Sequence, residues 1–482
     1  MSLRQRALRG ATWAVAGGNA SQLLAFVLFM IISRMVGPAA FGTVAVSLAL
    51  VELCRALFNE SVAGNLVARG RFDDTAFSAG FVMTTAIAGL QVLALWALAP
   101  LLAILFQAPA LTTVLPQISL LLVLYAASRL QEAHLMLDLR FDALALRSVL
   151  AVLIGGAAGI GAAWAGYGVE ALILQQWISA LVSLLLLWIA CPWRPRFTLS
   201  PGVFAELARQ SAALAPAGLL AQLAMLVDGL VVASLSGPAA AGLYNLGKRA
   251  RLALQLGIST ALARVSLPTF ARNKQDLTRL ADTVSEAMRL SMVLAFPIFL
   301  GIAAVAPELI ALFLGPEWAP AATPLAFLMI AGALAITSSY CDNLMLVMER
   351  RSWIAALRLG MLAVLVLGMT LVGRQGPAAV AACALAATMA HNIAAWIAAS
   401  RLAPLKISTY LTTVAIPFAI SLAMLAMLMA LRDAEAFRHI SALPRLVAFV
   451  ALGAVFYMAC AWVFARRAVE AVVGAARTVL AV

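Results

Sequence analysis

Charge is scarce in this chain. Asp, Glu, Lys and Arg together make up 11% of its 482 residues, against about 25% in an ordinary soluble domain. That shortage excludes a soluble globular fold, and no polar stretch is long enough to hold a soluble domain. Acids are scarcer than bases, 20 against 33, for a formal net charge of +13. The excess does not point to nucleic acid, because the basic residues form no patch; they are scattered over many short loops, the pattern of membrane topology signals. Cysteines number five. Cys54, Cys191, Cys341, Cys383 and Cys460 lie in or at the ends of apolar runs without metal-ligand spacing, which excludes a zinc site or a disulfide framework and leaves small buried hydrophobes. None of the three histidines has a ligand partner at helical spacing, and His391, in mid-span, reads as a packing residue. A GxxxxGK[ST] loop is absent, so ATP does not drive this chain directly. No metal or cofactor is expected.

Apolar residues are abundant: 64% of the chain, with a mean hydropathy of +1.02. They come in continuous runs of about 20 residues rather than in alternation, which specifies membrane-spanning helices and excludes a β-barrel. The expected fold is an all-α polytopic membrane protein with about fourteen spans, at 11–33, 42–66, 77–105, 112–131, 144–165, 169–191, 211–235, 242–266, 289–314, 321–347, 354–373, 377–400, 409–431 and 444–465. The first run follows Arg4, Arg6 and Arg9 as a signal peptide would. It is too long for one and carries Asn19 and Gln22, so it reads as the first span.

Charge sets the orientation. With the N-terminus inside, 24 of the 33 Lys and Arg fall on the cytoplasmic side. Five lie outside (Arg34, Arg374, Arg432, Arg438, Arg445), and four lie within spans (Arg55, Lys248, Arg249, Arg251). Both termini are therefore expected in the cytoplasm, with an even number of spans. The segment 272–289, with Leu277, Leu280 and Val284 at helical spacing, reads as an amphipathic helix on the cytoplasmic surface.

The chain repeats itself. Gly37-Pro38-Ala39-Ala40-x-Gly42 recurs 200 residues on as Gly237-Pro238-Ala239-Ala240-x-Gly242, and Gln22 meets Gln222 at the same offset. Arg140, Ala145, Leu146 and Arg147 meet Arg351, Ala356, Leu357 and Arg358 at an offset of 211. Six spans in each copy make the copies parallel repeats about an axis along the membrane normal. The expected organisation is an N-terminal lobe at 1–200, a C-terminal lobe at 201–404 around a shared central cavity, and an appendage with two further helices and a cytoplasmic tail at 405–482.

One stretch organises the rest: 235–272, LSGPAAAGLYNLGKRARLALQLGISTALARVSLPTFAR. A charge at the centre of a spanning helix costs about 2.5–3.5 kcal/mol on insertion scales, so Lys248, Arg249 and Arg251 together require about 8–10 kcal/mol of compensation. Tyr244, Lys248, Arg251 and Gln255 follow the i, i+4, i+7, i+11 spacing and share one helical face, with Asn245 and Arg249 beside it. A water-filled cavity or an anionic ligand is one source of compensation. Lateral helix pairing with snorkelling is the other, and the shared face favours the cavity. Other mid-span polar residues fall on few helices: Asn19 and Gln22; Glu52, Arg55 and Asn59 at i, i+3, i+7; Gln222 and Asp228. Glu52 and Asp228 are candidate ion-coupling carboxylates, or else Glu52 neutralises Arg55 and Asp228 a cation of the stripe.

Several stretches together resemble the bacterial polysaccharide-transport flippases of the multidrug/oligosaccharidyl-lipid/polysaccharide exporter superfamily. They are the 237–272 run, Ala306-Pro307-Glu308-Leu309, Phe313-Leu314-Gly315-Pro316-Glu317-Trp318, Gly168-Val169-Glu170-Ala171-Leu172 with Gln175-Gln176, Trp193-Arg194-Pro195, and LRFDALALRSVLA at 139–151. The resemblance covers about residues 1–400 in order. The chain departs from it in Met348-Glu349-Arg350-Arg351, where the family often has Ala-x-Gly-Arg, and in Asn245-Leu246, where Asn-Arg is usual and the cations shift to Lys248 and Arg249.

The resemblance implies a flippase that carries undecaprenyl-diphosphate-linked oligosaccharide across the bacterial inner membrane for exopolysaccharide, capsule or O-antigen synthesis. A polysaccharide polymerase, glycosyltransferases and membrane lipids would be its partners. Lys248, Arg251, Arg249 and Arg55 would meet the pyrophosphate; Tyr244, Gln255, Asn59, Gln22 and Gln222 would meet the sugars. A lipid II flippase and a drug/cation antiporter of the same superfamily are the alternatives; the antiporter fits less well, having an acidic cavity and usually twelve spans. A membrane glycosyltransferase would need catalytic groups on large outer loops, and the outer loops here are short, so no enzyme is expected.

Overall fold

The computed structural model describes the backbone of residues 3–196, 200–464 and 466, and their side chains apart from 3–16, 256, 258–268, 436 and 438. The side chains of Arg4, Arg6, Arg9 and Arg264, and the tail 467–482, lie outside the described residues. Every regular element among the described residues is helical. The helices are α1 (Leu3–Val36), α2 (Pro38–Leu57), α3 (Asn59–Ala68), α4 (Asp74–Leu105), α5 (Leu111–Ser119), α6 (Leu121–Leu137), α7 (Phe141–Trp164), α8 (Val169–Ala190), α9 (Pro201–Arg272) and α10 (Leu277–Ala304). They continue as α11 (Ala306–Phe313), α12 (Ala322–Val347), α13 (Arg351–Val372), α14 (Pro377–Ser400), α15 (Ile407–Tyr410), α16 (Ile416–Asp433), α17 (Glu435–Arg438) and α18 (Ala442–Phe464). In hydrocarbon a helix satisfies its own backbone groups, which is why apolar runs of this length take this form.

Thirteen segments among the described residues are long and apolar enough to cross a membrane. The count meets the expected fourteen in α9, where two expected spans run on as one 72-residue element interrupted at Gly237 (φ 77°, ψ 177°). Only glycine reaches that backbone conformation without strain. The same device, a positive-φ glycine followed by a proline in the first helical turn, opens α2 at Gly37 (φ 81°) and α14 at Gly376 (φ 102°). Proline suits that place because its missing N–H would be unpaired there in any case. Elsewhere an aspartate does the work: Asp73 Oδ1 accepts from the Thr75 and Ala76 amides to start α4, and Asp276 Oδ1 from the Arg279 amide to start α10.

That second cap corrects one expectation. The amphipathic stretch at 277–289 is not a separate surface helix. It is the first part of α10, continuous with the following span; of its expected apolar stripe Leu280 and Val284 are fully buried, while Leu277 at the helix start is exposed. The expected span 42–66 is likewise two helices, broken at Phe58 (φ −136°, ψ −44°).

The chain divides into two compact units, Met1–Asn245 and Leu246–Val482. In the first, α7 packs on α1 and α8. Small residues permit the approach: Gly156 and Gly159 face Leu28 and Ile32 of α1, and Gly155 and Gly159 face Gln175 and Ser179 of α8. A core of Val62, Leu66, Phe77, Leu130, Leu135 and Leu207 closes one end of this unit. The two Gly-Pro turns meet here. A Cβ on Gly42 would run into the Pro238 carbonyl oxygen, and one on Gly242 into that of Pro38. The reciprocity is consistent with two copies of one turn related by a two-fold axis.

In the second unit, α10, α12 and α14 form the centre, with Met292, Phe296, Phe299, Leu328 and Ile336 wholly buried. The last spans, α16 and α18, pack on one another and on α10. They are held together at one end by one carboxylate: Glu308 of α11, with no exposed surface, pairs with Arg432 (2.9 Å) at the end of α16 and Arg445 (3.3 Å) at the start of α18.

Candidate functional site: buried charge in the spanning helices

Among the described residues, two clusters of charge in the spanning helices stand apart, and they are built differently. In the first unit, acids and bases alternate. Glu52 pairs with Arg55 (3.2 Å), and Arg55 with Glu60 (3.0 Å) across the Phe58 break. Glu60 also pairs with Arg129 of α6, Arg129 with Glu132 (3.0 Å), and Glu132 with Arg147 of α7 (3.5 Å). The Arg55 guanidinium lies over the Tyr125 ring, 5.1 Å from its centroid. Glu52 is therefore the end of a chain of ion pairs. Arg55 and Asn59, expected on one helical face, are now on two helices. Asn59 is almost fully buried, at 2% exposed.

Three residues of this cluster went unread in the sequence: Glu60, Arg129 and Glu132. Arg147 was read only as part of the internal repeat. The i, i+3 spacing of Arg129 and Glu132 was the one local signal that they form a pair.

Asp228, on α9 in the same unit, is buried. Its Oδ2 accepts from the Tyr244 hydroxyl (2.9 Å) and its Oδ1 from the Gly229 amide (2.8 Å). Tyr244 has no exposed surface, so its ring is not presented to solvent. Gln22 is exposed and Gln222 half-buried.

In the second unit, α9 carries the cations in a run with no acid: from Leu246 to Arg272 it holds none. Lys248 is 8% exposed; Arg249, Arg251 and Gln255 are half-buried. Arg251 has a made place. A Cβ on Gly332 of α12 would come within 2.7 Å of both Arg251 Cγ and Phe299 Cε1, so glycine there leaves room for the stem of the arginine. Arg251 Nε is buried and makes no hydrogen bond among the described residues. A buried guanidinium N–H without an acceptor is unfavourable, and an anion placed beside it relieves that.

No group of His, Cys, Asp and Glu among the described residues is arranged to hold a metal ion. The five cysteines are free, and His391 is buried, with Nδ1 3.4 Å from the Leu357 carbonyl.

Comparison with known proteins follows the same line. The succinoglycan biosynthesis transport protein ExoT of Rhizobium meliloti (strain 1021) is 26% identical over 337 residues, 70% of this chain and 68% of that protein. The lipopolysaccharide biosynthesis protein WzxC of Escherichia coli (strain K12) is 22% identical over 352 residues, 73% of this chain and 72% of that one. Among solved structures, the lipid II flippase MurJ in an inward closed conformation superposes with a TM-score of 0.75 at 11% identity, over 95% of this chain and 99% of that one. An inward-facing multidrug resistance MATE family transporter of the MOP superfamily gives a TM-score of 0.54 at 15% identity, over 83% and 96%. These two likenesses are of fold alone, and they bear out the expected multi-helical membrane fold. The family described as polysaccharide biosynthesis protein matches residues 31–323, more than half of the chain, and the chain belongs to that family.

Proposed function

We propose that this protein is a flippase that moves undecaprenyl-diphosphate-linked oligosaccharide across the bacterial inner membrane by alternating access, for exopolysaccharide, capsule or O-antigen synthesis. The observation that carries the reading is the acid-free run of cations on a spanning helix, with Lys248 buried and Arg251 set beside Gly332 with its Nε unpaired. A pyrophosphate is the anion that suits it: two charges, several acceptor oxygens, and a guanidinium fork that binds them in parallel. The names of ExoT and WzxC, one a transport protein for succinoglycan biosynthesis and the other a lipopolysaccharide biosynthesis protein, support a glycan cargo over lipid II and over a cationic drug. The low-identity likeness to MurJ supports the fold only.

Lys248 and Arg251 bind the pyrophosphate, with Arg249 assisting; Gln255, Asn59, Gln22 and Gln222 belong to the sugar-facing set. Glu52 and Asp228 are the coupling carboxylates. The parts are an N-terminal lobe (1–200), a C-terminal lobe (201–404) and an appendage (405–482). Both termini are cytoplasmic. Translocation is non-enzymatic, and a polymerase and glycosyltransferases work beside it.

The test is reconstitution. Proteoliposomes loaded with lipid-linked oligosaccharide of one leaflet orientation are treated with a membrane-impermeant oxidant of sugars. Protein-dependent movement of glycan to the other leaflet, without ATP, is the expected result; no movement under any ion gradient ends the reading.

A further inference from the structure

The chain of ion pairs in the first unit lines a partly open cavity of about 200 Å³, with Arg55, Asn59, Glu60, Arg129, Glu132 and Arg147 among its walls. Five buried atoms on these residues make no hydrogen bond among the described residues: Nε of Arg55, Arg129 and Arg147, and both amide atoms of Asn59. Each is an unmet demand in a low-dielectric interior, where such groups are almost always partnered. The three carboxylates of Glu60, Glu132 and Glu52 engage the terminal nitrogens of the arginines. The space is lined by the three arginines, by Glu60 and Glu132, by the hydroxyl-bearing Tyr125, Ser128 and Ser183, and by Asn59, whose amide both donates and accepts.

The formal charge of the group sums to zero, three carboxylates against three guanidiniums. An added anion would find no uncompensated charge to offset its desolvation. A hydroxyl brings no such burden. Its oxygen accepts from a guanidinium Nε–H, and neighbouring hydroxyls on one ring can accept from the Asn59 NH2 and donate to its carbonyl oxygen. The volume is below the range of about 300–1,000 Å³ that takes drug-sized ligands; it suits one ring rather than an oligosaccharide.

We propose that this cavity is a subsite for one uncharged sugar unit, recognised through its hydroxyls. It rests on the transport reading for where the sugar comes from, a residue of the lipid-linked glycan, while the pyrophosphate is held elsewhere. The two cargo ends would then be read by opposite electrostatics, a neutral cavity for the sugar and a cationic run for the phosphates.

The experiment uses the full chain in lipid nanodiscs, which carry no sugar headgroup. Binding of the methyl glycosides of glucose, galactose and mannose, and of methyl glucuronoside, is read by saturation-transfer NMR. At least one neutral glycoside binds, at least tenfold more tightly than the glucuronoside. Asn59→Leu, which keeps the shape and removes the amide, weakens it at least tenfold. Absence of binding by every neutral glycoside, equal binding to Asn59→Leu, or stronger binding of the glucuronoside overturns the proposal and leaves a water-filled cavity. If Asn59→Leu does not fold, the neutral-against-charged comparison in the unaltered protein still decides. Glycoside binding with no translocation in proteoliposomes would sink the transport reading and leave this site standing; translocation with no glycoside binding does the reverse.

Discussion

The two units handle buried charge in opposite ways. In Met1–Asn245, Arg55, Arg129 and Arg147 are interleaved with Glu52, Glu60 and Glu132, so that each cation has a carboxylate within 3.5 Å. In Leu246–Val482, the α9 run carries Lys248, Arg249 and Arg251 without an acid in its own sequence. The second unit is quite able to pair charges: it does so with Glu308, Arg432 and Arg445, where the role is to hold helices together. The difference is that the first unit meets its buried cations with acids carried on the same and neighbouring helices, whereas the α9 run brings no acid of its own.

Substitutions can break or sharpen that contrast. The largest effect belongs to Glu308→Gln. It leaves Arg432 and Arg445 facing each other around a buried neutral amide, and breaking a buried pair in this way costs about 3–5 kcal/mol. The expected result is a lowered unfolding midpoint in detergent, with α16 and α18 the first to become accessible to protease. Glu132→Gln removes one link of the first unit's chain and leaves Arg129 and Arg147 short of a partner. Its charges are about one-fifth exposed, so the loss is smaller, about 2–3 kcal/mol on the same argument. Arg251→Gln should cost less stability than either, because it removes a half-buried charge whose Nε makes no hydrogen bond among the described residues. If Arg251→Gln destabilises as much as Glu132→Gln, the contrast between the units fails.

Gly332→Ala probes the place made for Arg251. The added methyl meets the arginine stem and the Phe299 ring, and overpacking of this kind costs about 1–3 kcal/mol. Translocation should fall about tenfold while Phe299→Leu, by giving the methyl room, restores part of it.

The smallest effect is a surface pair. The Glu349 carboxylate accepts from Lys274 Nζ at 2.7 Å, and this hydrogen bond, aided by the lysine's charge, holds its pKa below the usual glutamate range. A depressed folded-state pKa contributes stability above the unfolded value and loses it as pH falls through the folded one. Glu349→Ala should therefore lower the unfolding midpoint slightly near about pH 7, and the difference should vanish below the ordinary carboxylate range. A difference that persists in strong acid would mean that the side chain acts through packing instead.

Much of the fold was legible because the signals are local. Hydropathy located the spans, and Gly37-Pro38 and Gly237-Pro238 marked turns that only glycine can make. The fused α9 and the Phe58 break were not legible, since an apolar sequence reads alike whether its helix continues or kinks. The cation run was legible for the same local reason: Lys248 and Arg251 conflict with their own surroundings in sequence. The ion pairs were not, because Glu60 meets Arg129 and Glu308 meets Arg432 across 69 and 124 residues. Charges that looked like independent topology signals, Arg432 and Arg445 among them, proved to be partners of one buried acid.

The most direct test of the account is Arg251→Gln in the proteoliposome assay, with Arg251→Lys beside it. Gln keeps hydrogen-bonding capacity and removes the charge, so the variant should insert and fold as well as the unaltered protein, yet leave the lipid-linked glycan in its original leaflet. Lys keeps the charge but loses the parallel grip on phosphate, and should translocate at a rate between the two. A folded Arg251→Gln protein that translocates at the unaltered rate would contradict the account and reduce the α9 cations to packing.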